Sequence, residues 1–179
     1  MQTVNSIKEL AELLKAGETQ IKIDFDSCNT LYRILLEEYK VDLCAYDISN
    51  WDVSSVTNMV FMFCYATNFN QDLSKWDVSS VTNMAYMFNK ANSFNQDLYT
   101  WNVGNVTDMI SMFHRAESFN RDISNWNISN VTDMFCMFYG AKNFNQDLSN
   151  WSVDTSTDAR LMFKGCPIKE EFKPKGIQE

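Results

Sequence analysis

Five tryptophans recur at a constant spacing of 25 residues, at Trp51, Trp76, Trp101, Trp126 and Trp151. The residues around them repeat as well, and the unit from residue 69 to residue 93 reads FNQDLSKWDVSSVTNMAYMFNKANS. Self-similarity at a fixed period of roughly 20 to 50 residues marks chains that fold as stacked repeats, because one short unit cannot bury its apolar side chains alone. The period therefore constrains the fold more than any other feature of the chain.

Within one unit, two different periods follow each other. Trp76 and Val78 have the alternation of a strand, whereas the next apolar residues recur at intervals of three and four, as on one face of a helix. Thr82 is placed to cap that helix. The skeleton L-x-x-W-x-V also has the spacing of leucine-rich repeats. We therefore predict an α/β fold, a leucine-rich-repeat-like right-handed solenoid of about six strand-helix coils with an N-terminal helical cap.

The two ends of the chain depart from the repeat. Ser6 and Glu9 form a capping-box pattern before an amphipathic helix that Gly17 closes. Residues from Ile23 onward overlay those from Trp51 with an offset of 28, which predicts a degenerate first coil. Such ends are expected of the terminal units that shield a complete array. We predict a single solenoid domain over 1–179, with an N-terminal cap helix and degenerate first coil (1–41), 25-residue repeats (42–163), and a C-terminal cap and tail (164–179).

The repeat motif also resembles a known family. The runs WDVSSVTNMVFMF, FNQDLSKWDVSSVTNMAYMF and FNRDISNWNISNVTDMFCMF are similar to the repeats of the BspA-like leucine-rich-repeat surface proteins of bacteria and some microbial eukaryotes. The resemblance covers roughly residues 42 to 163. It implies a repeat scaffold used in adhesion and other protein contacts, often secreted or lipid-anchored. It implies no catalytic residue.

Charge and composition narrow the classes of partner and compartment. A net charge of −8 and a pI of about 4.6 argue against nucleic acid and favour a basic protein partner, without identifying it. No apolar run is long enough to cross a membrane, and the first residues lack a signal-peptide pattern, so we predict a cytoplasmic protein without membrane insertion, with the cell surface as the family's alternative. The cysteines are odd in number and never spaced as CxxC, which favours a reducing compartment: Cys28, Cys44, Cys64, Cys136 and Cys166.

Three repeated columns of side chains have both a structural and a functional interpretation. The tryptophans could stack sugars or bases, but their place in the apolar skeleton favours an inward aromatic ladder. The aspartates Asp47, Asp72, Asp97, Asp122 and Asp147 could bind calcium or accept hydrogen bonds from backbone amides, and the second is favoured because no glycine-rich calcium loop is present. The asparagines Asn70, Asn95, Asn120 and Asn145 predict an amide ladder that satisfies the turn between coils.

No pattern of catalytic residues stands out. The single histidine, His114, is predicted on the outer side of a helix with no nucleophile marked beside it. There is no phosphate-binding glycine loop and no zinc spacing. We therefore predict that the chain is not an enzyme, and we predict no cofactor and no metal.

The positions that vary from unit to unit are the candidate contact residues. Polar residues between the inward strand positions should line a concave face: Asp52, Lys75, Asp77, Asn102, Asn127 and Ser152. Aromatic and basic residues lie on the outer helical flank: Phe61, Tyr65, Tyr86, Arg115 and Tyr139. Some of these aromatics could instead pack against neighbouring coils.

The sequence favours a monomeric, non-enzymatic protein–protein interaction module, with the concave face as first contact surface and the flank as second. Three alternatives stay open. They are a cell-surface adhesin that binds a host protein or glycan, an intracellular inhibitor or immunity-type protein for a basic target, and a structural or calcium-stabilised domain.

Overall fold

The computed structural model describes residues 1–25 and 30–177 of the chain. Its regular elements are β1 (Gln2–Val4), α1 (Ile7–Lys15), β2 (Ile21–Ile23), α2 (Leu31–Glu37) and two short 3-10 helices (Leu43–Ala45 and Glu170–Phe172). Strands β1 and β2 form a parallel two-stranded sheet in which Thr3 lies opposite Lys22. Between residues 46 and 169, all of which are described, the chain has no helix and forms isolated parallel bridges. None of the described helices has the length and apolar character needed to span a membrane.

The helix predicted after Ser6 is present as α1. The Glu9 N–H donates to Ser6 Oγ at 3.2 Å, and the Glu9 carboxylate in turn accepts from the Asn5 N–H at 2.8 Å. At the other end Gly17 adopts a φ of 87°, a left-handed conformation that costs glycine little, and its N–H bonds to the Leu14 carbonyl. The helix ends are therefore fixed by local hydrogen bonds that can be recognised in the sequence.

The predicted leucine-rich-repeat-like solenoid of six strand-helix coils is wrong. The repeats contain neither the predicted strand nor the predicted helix, and both described helices longer than one turn lie before residue 38. The Trp76 N–H closes a turn on the Leu73 carbonyl, and the Val81 N–H closes another on the Val78 carbonyl. Successive tight turns thus occupy the segment that was expected to be extended.

The segment expected to be a helix is a series of turns that we call the turn ladder (residues 59–66, 84–91, 109–116, 134–141 and 159–166). In residues 84–91, the N–H groups of Met87, Asn89 and Ala91 each bond to the carbonyl three residues back. The alternate N–H groups of Met84, Tyr86, Phe88 and Lys90 instead reach the next unit, where they bond to the carbonyls of Asp108, Ile110, Met112 and His114 at 2.8–3.0 Å. Neighbouring units are therefore joined by backbone hydrogen bonds at every second residue.

The helix prediction failed because a turn ladder places apolar side chains at the same intervals as a helix. Tyr86 and Lys90 have φ values of 58° and 57°, so a left-handed residue at every fourth position interrupts any right-handed helix. Thr82 caps no helix, since its hydroxyl donates to the Thr57 carbonyl at 3.3 Å. The side chain of Asn83 accepts from the Ala85 N–H at 2.9 Å and so closes a turn.

The apolar columns form one continuous core, as the sequence predicts. All five tryptophans are 3% exposed, and Trp51 and Trp76 stack with centroids 6.2 Å apart. The indole N–H of Trp76 donates to the Ile48 carbonyl of the preceding unit at 2.9 Å. A second column, Phe63, Phe88, Phe113, Phe138 and Phe163, stacks at 5.5–5.6 Å. The tryptophans are therefore part of the core and cannot serve as a stacking platform for a ligand.

The first layer and the tail pair with the ends of the repeats. In the first layer Lys22 bridges to Asp52, so that paired residues are 30 apart and not 28 as the overlay predicts. The Tyr32 N–H of α2 donates to the Met62 carbonyl at 3.0 Å. At the other end Ser152 bridges to Lys175, so the tail lies against the last tryptophan turn.

Candidate partner-binding surfaces

The polar face comprises Asp52, Lys75, Asp77, Asn102, Asn127 and Ser152. All are exposed except Asp52, which is half-buried. The Lys75 ammonium donates to the Asn50 side chain at 3.4 Å. The residues predicted for this surface therefore lie together on one side of the stack.

Turn formation uses part of the hydrogen-bonding capacity of the polar face. Asp52 Oδ1 accepts from both the N–H and the hydroxyl of Ser54, at 3.0 and 2.6 Å. Asp77 accepts from the Ser79 N–H at 3.0 Å. Hydrogen bonds from the two serine residues hold the pKa of each carboxyl below its usual range, so both aspartates are ionised at neutral pH. One oxygen of each carboxylate is thus committed to the fold.

Two open grooves lie on the polar face. The first, of about 420 Å³, is lined in part by Trp51, Asp52, Lys75 and Asp77. The second, of about 290 Å³, includes Asn127 and Ser152 near the other end. The side chains that line both grooves are mostly polar and small. Such side chains suit hydrogen bonds at the rim of an interface better than they suit the burial of a large anchor side chain.

Some side chains of the aromatic flank are packed and others are exposed. The flank comprises Phe61, Tyr65, Tyr86, Arg115 and Tyr139. Phe61 and Tyr86 stack on each other with centroids 4.7 Å apart, and both are half-buried. Tyr139 is half-buried and meets the edge of the His114 ring at 5.1 Å. Tyr65, in contrast, is 58% exposed, and Arg115 is exposed as well.

Tyr65 contacts a cation and also lines an open groove. The Lys90 ammonium donates to the Tyr65 hydroxyl at 3.1 Å and lies 4.5 Å from the ring centroid. The neighbouring groove, of about 280 Å³, is lined by Arg33, Phe61, Cys64, Tyr65 and Thr30. Arg33 was not among the predicted contact residues. One feature of the sequence could have identified Arg33. The overlay with an offset of 28 aligns it with Phe61, which is one of the predicted contact residues.

His114 is on no helix, contrary to prediction, because the turn ladder replaces the helix there. It is half-buried, and the Asn89 side-chain amide donates to its Nδ1 at 3.2 Å. Its Nε2 is buried and has no hydrogen-bond partner among residues 1–25 and 30–177. Burial first, and then the charges of Arg115 and Lys90, lower the pKa of His114.

His114 should make the stability of the protein depend on pH below neutrality. Because its pKa is lower in the folded chain than in the unfolded chain, the unfolded chain binds the proton first. The contribution of the neutral imidazole to the free energy of unfolding is complete above the unfolded pKa of about 6.5. It is lost as the pH falls through the folded pKa. We expect His114→Gln, which can still accept from Asn89, to lose less stability than the wild type between about pH 8 and pH 5. Urea unfolding at each pH measures the difference, and equal losses in the two proteins would contradict the assignment.

The aspartate and asparagine columns bond to the backbone. Asp72 Oδ1 accepts from the Ser74 N–H at 2.8 Å, and Asp47, Asp97, Asp122 and Asp147 make the equivalent contact. Asn70 Oδ1 accepts from the Asn95 N–H of the next unit at 2.9 Å, and Asn95 and Asn120 repeat this bond. Asn145 Oδ1 accepts instead from the Lys169 N–H at 3.0 Å. The amide ladder is confirmed, and the backbone alternative accounts for one oxygen of each aspartate. Within the described ranges no group of three or more potential metal ligands occurs.

The cysteines of the described part of the chain are free thiols. They are Cys44, Cys64, Cys136 and Cys166, while Cys28 lies outside the described residues. Burial raises the pKa of Cys64 and of Cys166 to about 11 in each case. Burial also raises the pKa of Cys44 and of Cys136. These four side chains are therefore neutral thiols at physiological pH, which makes them weak nucleophiles.

Comparison with known proteins places the chain in a family. Residues 33–126 and 99–174 match the family described as "Mycoplasma protein of unknown function, DUF285", and the two overlapping matches cover well over half of the chain. The chain belongs to this family. The DUF285 matches begin within α2 and include all five tryptophans, but they do not reach β1, α1 or β2. No curated protein and no solved structure matches the chain.

Proposed function

We propose that this DUF285 protein is a non-enzymatic protein-binding module whose aromatic flank is the main contact surface. The observation that carries the proposal is the position of Tyr65, which is 58% exposed next to an open groove. A tyrosine in this position offers a large apolar surface and a hydroxyl to a partner at a small cost in conformational entropy.

The flank suits a protein partner better than the polar face does. Binding energy at protein interfaces is concentrated in tryptophan, tyrosine and arginine side chains that fill or line pockets. The flank has Tyr65 and Arg115 exposed, with Arg33 in the wall of the groove. Apart from Lys75, the polar face offers short side chains, and oxygen atoms of Asp52 and Asp77 are already used within the fold. We therefore rank the flank above the polar face, which reverses the order predicted from the sequence.

The charges on and beside the flank indicate which partner would fit it. Arg33, Lys90 and Arg115 are cations on a chain of net charge −8. A partner segment that combines an apolar group for the groove with acidic residues beside it would complement this surface. The groove beside Asp52 and Asp77 favours a second candidate, an inhibitor or immunity-type protein for a basic target.

Two observations support the absence of catalysis. The His114 imidazole is held by Asn89, and its other nitrogen is buried. The raised pKa values of the described cysteines remove the thiolate that a cysteine nucleophile needs.

We also propose that the chain is related to the BspA-like surface proteins, because its repeats have a similar motif. On that kinship the module would work at the cell surface, as an adhesin for a host protein or glycan. The cytoplasm remains the alternative compartment. The experiment below therefore uses partners from both compartments.

The test is affinity capture with immobilised wild-type protein and a flank variant, Tyr65→Asn with Arg115→Asn. Both positions have positive φ values, 61° and 55°, which asparagine adopts readily, so the backbone should be preserved. We expect the wild type to retain a specific protein from surface or cytosolic extracts. The purified partner should bind the variant at least about tenfold more weakly, because exposed tyrosine and arginine anchors dominate such interfaces.

A polar-face variant, Asp77→Lys with Asn127→Lys, is the matched control, since both residues are exposed on the other surface. Unfolding curves establish that all three proteins are folded. Loss of binding in the polar-face variant alone would move the site to that face. Equal binding by all three proteins would reject both surfaces.

A further inference from the structure

An exposed aromatic side chain lies beside the polar face. Tyr99 is 45% exposed and occupies the same column of the repeat as Ser49 and Ser124. Ser49 lines the first groove of the polar face, and Ser124 lines the second. The unit of Tyr99 lies between them in the stack, because the first groove reaches Asp77 and the second starts at Ser124. An aromatic ring is therefore available between two open polar grooves.

Hydrogen bonds hold the turn that carries Tyr99. The Tyr99 N–H donates to Asp97 Oδ1 at 2.8 Å, and the Tyr99 carbonyl accepts from the Asn125 side-chain amide at 2.5 Å. The Thr100 hydroxyl donates to the Ser74 carbonyl of the preceding unit at 2.9 Å. Because this backbone is already fixed, a ligand that binds here would lose little affinity to the ordering of the protein.

The polar face keeps hydrogen-bonding groups that a ligand could use. Oδ1 of Asn102 and Oδ1 of Asn127 each accept from the backbone N–H two residues on, at 3.2 and 3.1 Å. Both side chains are exposed, and nothing in residues 1–25 and 30–177 accepts from their amide N–H groups. Asp77 closes its turn with Oδ1 in the same way and keeps Oδ2 as an acceptor. The face therefore offers a row of free donors and acceptors next to the ring of Tyr99.

We infer that this surface binds an extended, neutral, β-1,4-linked glycan that lies along the stack with one sugar packed on Tyr99. The flat side of such a sugar carries C–H groups, which pack on the apolar face of an aromatic ring. Sugar hydroxyls both donate and accept, so they suit the amide N–H groups of Asn102 and Asn127 and the free oxygen of Asp77. A β-1,4-linked chain is straight and can pass from Tyr99 into both grooves, whereas an α-1,4-linked chain coils.

The charges and the shape of the surface favour a neutral glycan over the other ligand classes. The carboxylates of Asp52 and Asp77 would repel an anionic glycan, and the Lys75 ammonium already donates to a neighbouring side-chain oxygen. The grooves have small polar walls without a pocket for a large side chain of a protein partner, while a glycan binds through many hydrogen bonds. This inference goes beyond the flank proposal, and either can fail alone, because the aromatic flank is not part of this surface.

The test titrates the whole chain with cellohexaose and with chitohexaose, two neutral β-1,4-linked hexasaccharides, by calorimetry and by nuclear magnetic resonance. We expect saturable binding of at least one of them, with shifted side-chain amide signals of Asn102 and Asn127. Maltohexaose is the matched control, because it contains the sugars of cellohexaose in α-1,4 linkage. It should bind at least about tenfold more weakly than the hexasaccharide that binds. Heparin, an anionic glycan, should also bind more weakly.

Variants of the protein separate the ring from the hydrogen-bonding groups. Tyr99→Ala should weaken binding at least about tenfold, because the ring that packs on the sugar is lost, while Tyr99→Phe should bind as tightly as the wild type. Asn102→Asp with Asn127→Asp keeps the oxygen that closes each turn, as Asp77 does, but removes the free donors. We expect at least about a tenfold loss of affinity from this pair as well.

The flank variant, Tyr65→Asn with Arg115→Asn, is the control for the choice of surface and should bind the hexasaccharide as the wild type does. The substituted side chains are exposed, so all variants should fold, and melting curves check this. The proposal would be overturned if neither β-1,4-linked hexasaccharide bound, if maltohexaose bound equally well, or if Tyr99→Ala bound as tightly as the wild type. Binding of polylysine but of no hexasaccharide would also overturn it and assign the face to a basic protein.

Discussion

Replacing Phe113 with alanine should lower the free energy of unfolding by about 3–5 kcal/mol. The side chain is fully buried and stacks on Phe88 at 5.6 Å and on Phe138 at 5.5 Å, so its removal leaves a cavity between two neighbouring units. It also lies 4.0 Å from the ring of Phe119 within its own unit. Urea unfolding, followed by tryptophan fluorescence and by circular dichroism, measures the loss.

Tyr99→Ala is the matched control for Phe113→Ala. Tyr99 is also aromatic, but it is 45% exposed, and we expect its loss to change the free energy of unfolding by no more than about 0.5 kcal/mol. Similar losses for the two substitutions would mean that the phenylalanine column does not form the core.

Arg115→Pro should cost about 3 kcal/mol or more, although the side chain is exposed. Arg115 has a φ of 55°, and its N–H donates to the Tyr139 carbonyl of the next unit at 2.8 Å. Proline fixes φ at about −65° and has no N–H, so it is incompatible with both features. Thermal and urea unfolding measure the effect.

Arg115→Gly separates the backbone effect from the loss of the side chain. Glycine keeps the N–H and adopts positive φ without strain, so we expect a change within about 1 kcal/mol of the wild type. If the glycine and proline variants were equally destabilised, the left-handed turn and its hydrogen bond to Tyr139 would not be important to the fold.

The sequence was sufficient to identify the core but not the backbone that surrounds it. The period of 25 residues places Trp76 and Phe88 in columns, and columns of large apolar side chains are buried in a stacked array whatever the backbone between them. Apolar residues three and four positions apart occur in helices and in consecutive turns alike. The helix was therefore chosen on a pattern that two structures share.

Two signals in the sequence pointed to turns. Gly140 and Gly165 occupy the column of Lys90 and Arg115, and glycine in one copy of a repeated position suggests a positive φ in all of them. Aspartate or asparagine two residues before a serine, as in Asp77-Val78-Ser79, is typical of a turn closed by the side chain.

For the candidate surfaces, the sequence predicted which residues vary but not which are free. Phe61 and Tyr65 are four residues apart in one unit, yet Phe61 is stacked on Tyr86 while Tyr65 is exposed beside Lys90. The direction in which the ladder N–H groups point could not be predicted either. That direction depends on the positive φ values, which the apolar pattern does not indicate.

The backbone bonds between units also determine how the length of such a protein can change. The bridges between the repeat units join residues 25 positions apart, as in Asn58 with Asn83 and Asn83 with Asp108. Removing residues 76–100 would therefore bring Asn58 to Asp108 and Trp51 to Trp101, with every remaining column intact. Loss or gain of a few residues would instead shift the columns and expose the core. A protein built in this way can therefore gain or lose whole units of 25 residues, while the surfaces at its two ends stay the same.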